Sequence, residues 1–486
     1  GDVTIDGTVN AQRFLLGVDQ GFITVNGTIN AAGPTGGRID LIAKGNVTLS
    51  AGSLLTVAAQ DFDSSGKGGA VTLESGAQRN GVVGTGRVDI KTGSTINLSV
   101  ATANASSSQR GQFTGTLHLR APQTTAVDNF ILINPLNGTI INPSSIVIEG
   151  YKLYDFNQSN VVIQGGAAGL TNLAGVTLKT DAVTPGQSLK SDATAFMNNY
   201  STMLNLLVGG NAGIQALESQ GPGVVVLAPG IEISNRGGNI TLGVVNTSSS
   251  QGSGAAYDWD LAGFRFGPKS AAGILTMRAA GNLEFYNTLS DGFNASAATS
   301  TNALDKQWTA PLLAFENKLP ANTQSWSFRL AAGADFAAAN FRSAVPFVTK
   351  AGVGSGNLMT IDNTAGIVIG QAVSGLNIPT GAVVTAINGN QVTLSQNVTA
   401  AVPANTPVTF GSSLLLGKDA GQARTSGATG ANALTATAIR ANTATNATTQ
   451  SNRFQVIRTG TGNIEIHTGL DVQLLNQFAT IYTAGA

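Results

Sequence analysis

The chain of 486 residues contains no cysteine, which removes disulfide frameworks, thiolate metal sites and cysteine nucleophiles together. Charge is scarce too. Only 11% of the residues are Asp, Glu, Lys or Arg, less than half of the usual share of about a quarter. Lys plus Arg and Asp plus Glu both number 26, for zero net charge, so the clustered cations that bind a phosphate backbone are missing and no nucleic-acid partner is expected. Proline numbers 14 against 61 glycines, an excess of residues that permit positive φ, unlike a proline-rich linker. No apolar run reaches the length of about 18 residues that marks a membrane helix, and the first residues carry neither a basic stretch nor an apolar signal core. Beginning in mid-pattern, the chain reads as an interior piece of something longer.

What is present is one short phrase, many times over. Gly1-Asp-Val-Thr-Ile-Asp-Gly-Thr-Val-Asn, Gly21-Phe-Ile-Thr-Val-Asn-Gly-Thr-Ile-Asn, Gly45-Asn-Val-Thr-Leu, Gly86-Arg-Val-Asp-Ile and Gly462-Asn-Ile-Glu-Ile all run glycine, polar, apolar, polar, apolar. A repeat too small to bury its own apolar face must stack on copies of itself, so the pattern predicts a β-solenoid. Alternation places Val3/Ile5, Ile23/Val25, Ile39/Leu41, Val71/Leu73 and Leu117/Leu119 inside, and Thr4, Thr24, Asp40, Thr48, Thr72, Asp89 and Asn97 toward water. At roughly 4.8 Å per coil, about twenty coils would make a rod on the order of 100 Å long.

The expected organisation is a β-solenoid over 1–342, a small β module inserted at 343–412, and a solenoid continuation over 413–486 with a polar loop at 418–453. Further loops are expected at 61–69, 101–113 and 291–325. One helix is predicted where Phe196, Tyr200, Met203, Leu204 and Leu207 share a face, capped by Ser191 or Asp192 and ended by Gly209-Gly210. The module carries a hairpin signal with Asn388-Gly389 at its turn.

Chemistry is hard to find. Asp61 and Asp63 sit in a Ser/Gly loop, Asp305 and Glu316 pair only loosely, and Asp258 and Asp260 flank Trp259. Tyr257, Asp258, Trp259, Asp260 and Trp308 are the candidate contacts for a glycan or partner, since aromatics beside carboxylates stack on sugars and bond their hydroxyls; buried anchors for a loop are the plainer reading. His118 and His467 occupy polar strand slots and are expected on the surface, so no zinc site follows. The sequence offers no catalytic, metal-binding or cofactor-binding residue, and the chain is expected not to be an enzyme. A β-helix hydrolase or lyase would need three or more carboxylates and a base on one face of consecutive coils.

Gly273-Ile-Leu-Thr-Met-Arg-Ala-Ala-Gly-Asn-Leu-Glu-Phe, Trp326-Ser-Phe-Arg-Leu-Ala-Ala-Gly-Ala-Asp-Phe, Ser413-Leu-Leu-Leu-Gly-Lys and Arg458-Thr-Gly-Thr-Gly-Asn-Ile-Glu-Ile resemble the filamentous-haemagglutinin-like large exoproteins of Gram-negative bacteria. The resemblance implies a right-handed parallel β-helix, secreted or at the cell surface, exported through an outer-membrane two-partner transporter. It implies an adhesin or biofilm-scaffold segment meeting host or bacterial glycans, proteins or copies of itself. A self-assembling filament and a carbohydrate-active β-helix enzyme are the alternatives.

Overall fold

The computed structural model describes residues 1–59, 68–100, 114–158, 160–163, 189–219, 224–243, 259–261, 264–286, 288–291, 324–344, 347–353, 356–362, 364, 367–417, 456–475 and 479–483. The loops expected at 101–113 and 418–453, and nearly all of those at 61–69 and 291–325, lie outside these residues.

The fold is all-β, and its repeats stack in parallel. Val3–Ile5, Thr8–Asn10 and Arg13–Val18 recur as Ile23–Val25, Thr28–Asn30 and Arg38–Ala43, then as Val47–Leu49, Leu54–Thr56 and Ala70–Glu74. Each strand pairs with its counterpart one repeat on, so Thr4 lies against Thr24 and Thr24 against Thr48. Ile23 and Val25 are fully buried with Thr24 half-buried between them, as period-two alternation requires. Each such Val, Ile or Leu contributes roughly 1.5–3 kcal/mol by leaving water.

The third strands form one continuous parallel sheet of nine, in the order Arg13–Val18, Arg38–Ala43, Ala70–Glu74, Thr116–Pro122, Ser145–Phe156, Val225–Asn235, Ile274–Ala279, Ser327–Ala332 and Ile464–Thr468. The other two walls are interrupted. Their first sheets end at Val88–Ile90 and Thr139–Ile141, and new parallel sheets begin at Asn160–Ile163 and Trp259–Asp260. Three helices pack beside the break: α1 (Leu189–Met197), α2 (Tyr200–Val208) and α3 (Ala212–Glu218). Phe196, Met203, Leu207 and Ile214 join the main core, Leu136 N–H donates to Leu207 O, and Asn211 Nδ2 donates to Leu136 O and Gly138 O. The single expected helix is thus three. Ser191 and Asp192 lie inside α1 rather than capping it, and the cap that forms is Asn211 Oδ1 accepting Ile214 N–H at 3.1 Å.

A sheet left whole on one side while the opposite walls are split by helices must bend, and the long sheet does. Arg38 on its second strand comes within 3.9 Å of Glu465 on its ninth, although seven strand spacings of about 4.8 Å would set them roughly 34 Å apart in a flat sheet. The sheet is curled into a half-barrel. The expected rod of about twenty coils is therefore corrected to a bent stack whose longest sheet, among the described residues, has nine strands.

Two further features complete the frame. A strap, 333–344, closes on itself through an Ala334–Ala344 bridge and lies in the concavity, with Ala339 N–H donating to Asp19 Oδ1 and Arg79 Nε to Ala337 O. A six-stranded antiparallel sheet spans Phe347–Val353 to Thr406–Gly411 and has its own core of Met359, Ile361, Val392, Val408 and Phe410. Its hairpin turns on Gly389-Asn390, because Asn388 pairs with Gln391, one residue later than the sequence signal.

Along the turn after the long sheet, side chains take over the ladder. Asn235 Oδ1 accepts Gln158 N–H, Asn239 Oδ1 accepts Asn282 N–H at 2.8 Å, and Asn282 Oδ1 accepts Ser413 N–H at 2.9 Å. These amides satisfy backbone donors that a sharp corner would otherwise strand.

Candidate functional site

The face of the long sheet opposite the apolar core carries the charge that the rest of the chain lacks. Arg120 sits at its centre. Its Nη1 donates to Glu74 Oε1 at 2.5 Å, its Nε to Glu149 Oε1 at 2.9 Å and its Nη2 to Glu232 Oε2 at 2.5 Å. Tyr151 stacks over the guanidinium at 3.8 Å and its hydroxyl donates to Gly76 O. Arg329 pairs with Glu74 at 2.9 Å, and Arg278 approaches Glu232 at 3.6 Å. Near the closing edge of the curl, Arg342 from the strap bonds Glu465 and lies 3.4 Å from Asp40. Phe341 covers Arg329 at 3.8 Å and Phe336 covers Arg278 at 5.1 Å.

Register explains the convergence. Arg120 lies opposite both Glu74 and Glu149, and Thr276 lies opposite both Glu232 and Arg329. All occupy the slot that alternation assigns away from the apolar core, and the curl turns that slot inward.

Burial and pairing set the protonation states. Burial disfavours the charged form of Glu149, but Arg120 and the His118 hydrogen bond outweigh it and hold the carboxyl at about 2. Glu74 is lowered likewise, against burial, by Arg120 and Arg329. Burial also opposes the Arg120 cation, yet Glu74, Glu149 and Glu232 keep its pKa well above the usual value. Arg278 differs. Burial lowers its pKa and Glu232 does not make up the loss.

A group of three carboxylates and a basic residue on consecutive coils is the arrangement that a carbohydrate-cleaving β-helix would use, and sequence reasoning did not find it. Here it is sealed. The side chains of Glu74, Arg120, Glu149 and Glu232 are at most 2% exposed, so no saccharide reaches them. Among the described residues no group of three or more His, Asp or Glu is placed to hold a metal, and no helix is long and apolar enough to cross a membrane.

The residues singled out from the sequence fare differently. Trp259 is fully buried and its strand pairs with Leu289–Ser290, so its ring is a core anchor with no face free for a sugar. Asp260 shares that strand. Tyr257, Asp258 and Trp308 lie outside the described residues, as do Asp61, Asp63, Asp305 and Glu316. His118 and His467 are half-buried and bonded, not free on the surface: His118 Nε2 meets Glu149 Oε2 at 2.9 Å and His467 Nε2 meets Glu465 Oε1 at 3.2 Å. Asp40 and Thr72, expected in water, are buried because their slot faces the concavity.

No family model matches this chain, and neither a curated protein nor a solved structure matches it.

Proposed function

We propose that the chain is a structural segment of a large secreted or surface-exposed protein of a Gram-negative bacterium, acting in adhesion, cell contact or matrix scaffolding. In this reading the parallel coils wind as a right-handed β-helix of the filamentous-haemagglutinin-like kind, delivered by an outer-membrane two-partner transporter. The absence of cysteine suits passage across an envelope as an unfolded chain. The observation that carries the reading is the division of labour among side chains. The charged cluster is locked inside the curl, while exposed polar ladders such as Asn26 Nδ2 to Asp6 at 2.7 Å and Asn30 Nδ2 to Asn10 at 2.9 Å line the outer walls. Weak contacts repeated along such walls give avidity without a deep pocket.

The test is binding of the purified chain to a glycan array and to intact bacterial and host cells, beside the chain with 347–411 excised. Saturable binding supports the reading, and the excised form assigns it to walls or module. Failure to bind any surface, together with cleavage of a polysaccharide, would replace it with the enzyme reading.

A further inference from the structure

The concavity contains more hydrogen-bond donors than the protein satisfies. Arg278 Nε, Arg329 Nη1 and Gln78 Nε2 are buried donors without a protein partner, against one unpartnered carboxylate oxygen, Glu232 Oε1, and the hydroxyls of Ser75, Ser234 and Thr276, which can donate or accept, are unpartnered too. All belong to residues less than one-tenth exposed. Unmet buried donors of this kind are costly, so a group with lone pairs is required beside them.

Charge is distributed unevenly in the same space. Arg120 takes one oxygen from each of three glutamates, which draws the negative charge toward its own side of the cluster. Arg329 retains one close carboxylate, and Arg278 has none closer than 3.6 Å. Nη2 of Arg278 donates to Asp335 O of the strap, and Nε is left over. Thr276 and Arg329 are opposite one another across adjacent strands, while Arg278 lies two residues beyond Thr276 and opposite Ser234. Side chains so related start about 5–8 Å apart on one face, a spacing that a single small guest can bridge.

We propose that the strap seals a site for a small inorganic anion of the halide class, held by Thr276 Oγ1, Arg278 Nε and Arg329 Nη1 with Ser234 beside them. A halide accepts several hydrogen bonds without donating any, which matches a set rich in donors. Phe336 and Phe341 close the site from the strap side.

Equilibrium urea unfolding with sodium bromide replacing sodium gluconate at constant ionic strength tests this, because a ligand of the native state is felt at equilibrium however slowly it exchanges. Above the dissociation constant, each tenfold rise in bromide should lower the unfolding constant about tenfold. Thr276→Val should require several-fold more bromide for the same effect, and Arg278→Met should lose the response. Crystals grown from bromide should show an anomalous peak beside Arg278 Nε. Equal stability in bromide and gluconate, a bromide effect retained in full by Thr276→Val, or only water at that position would overturn the proposal.

Discussion

Replacing Arg120 by Met keeps a stem that fills the same space and removes the cation shared by Glu74, Glu149 and Glu232. Breaking a buried ion pair from one side costs about 3–5 kcal/mol, because the partner charge stays buried and uncompensated. Arg278 and Arg329 remain, so two cations face three carboxylates, and the expected loss at pH 7 is about 4 kcal/mol. That is a large part of a typical total of about 5–15 kcal/mol. The pH dependence separates this cause from simple loss of packing. In the variant one carboxyl has lost the cation that depressed it, so its folded pKa rises and the folded variant binds about one proton more than the folded parent. Stability relative to the parent therefore recovers as pH falls, by up to about 1.4 kcal/mol per unit. Urea unfolding followed by fluorescence of the buried Trp259 and Trp326 at pH 7, 6 and 5 measures the gap. A gap under about 1 kcal/mol at pH 7, or one that stays constant to pH 5, would refute the account of the cluster.

Glu149 titrates at about 2 in the folded chain against its ordinary 4.5; its stabilisation, about 3 kcal/mol, is thus fully present above pH 4.5 and drains away as pH falls toward 2. Urea midpoints of the parent should fall across that window and those of Glu149→Gln should fall less. Asn282→Ala strands the Ser413 N–H and should cost about 2 kcal/mol by the same assay. Gly150→Ala places a Cβ 2.2 Å from Phe196 Cζ, so the Phe196 ring or α1 beneath it must shift; a loss of about 1–3 kcal/mol is expected, with faster amide exchange confined to 189–218. Excising 347–411, which has a separate core, should leave the cooperative unfolding of the coils intact in calorimetry.

The strands were legible because Val3, Ile5, Ile23 and Val25 alternate with polar neighbours on a period of two, and the antiparallel module because Gly389 sits at a hairpin turn. The curl was not. Glu74, Glu149 and Glu232 occupy the polar slots that in a straight stack face water, and Arg329 meets Glu74 across 255 positions of sequence. Local pattern carries no trace of a partner so distant. A usable signal did exist. In a chain so poor in charge, Leu119-Arg-Ala, Ile231-Glu-Ile, Met277-Arg-Ala, Phe328-Arg-Leu and Ile464-Glu-Ile all place a single charge in one strand slot, a concentration that a solvated face does not need. The strap, with its run Ala337-Ala-Ala-Asn, has neither strand nor helix periodicity. Its role is fixed by the arginines beneath it. Trp259 was ambiguous between anchor and sugar platform because aromatic residues serve both, and burial alone separates the two.

The bend of the long sheet is directly measurable, because the chain has no cysteine of its own. Spin labels at Leu15→Cys, on the first strand of the long sheet, and Leu470→Cys, two residues beyond its last strand, both exposed side chains, report the separation by double electron–electron resonance. The curled sheet predicts a distribution centred well below the roughly 38 Å that eight flat strand spacings would give. A peak at or beyond that distance would show a straight stack and contradict the account.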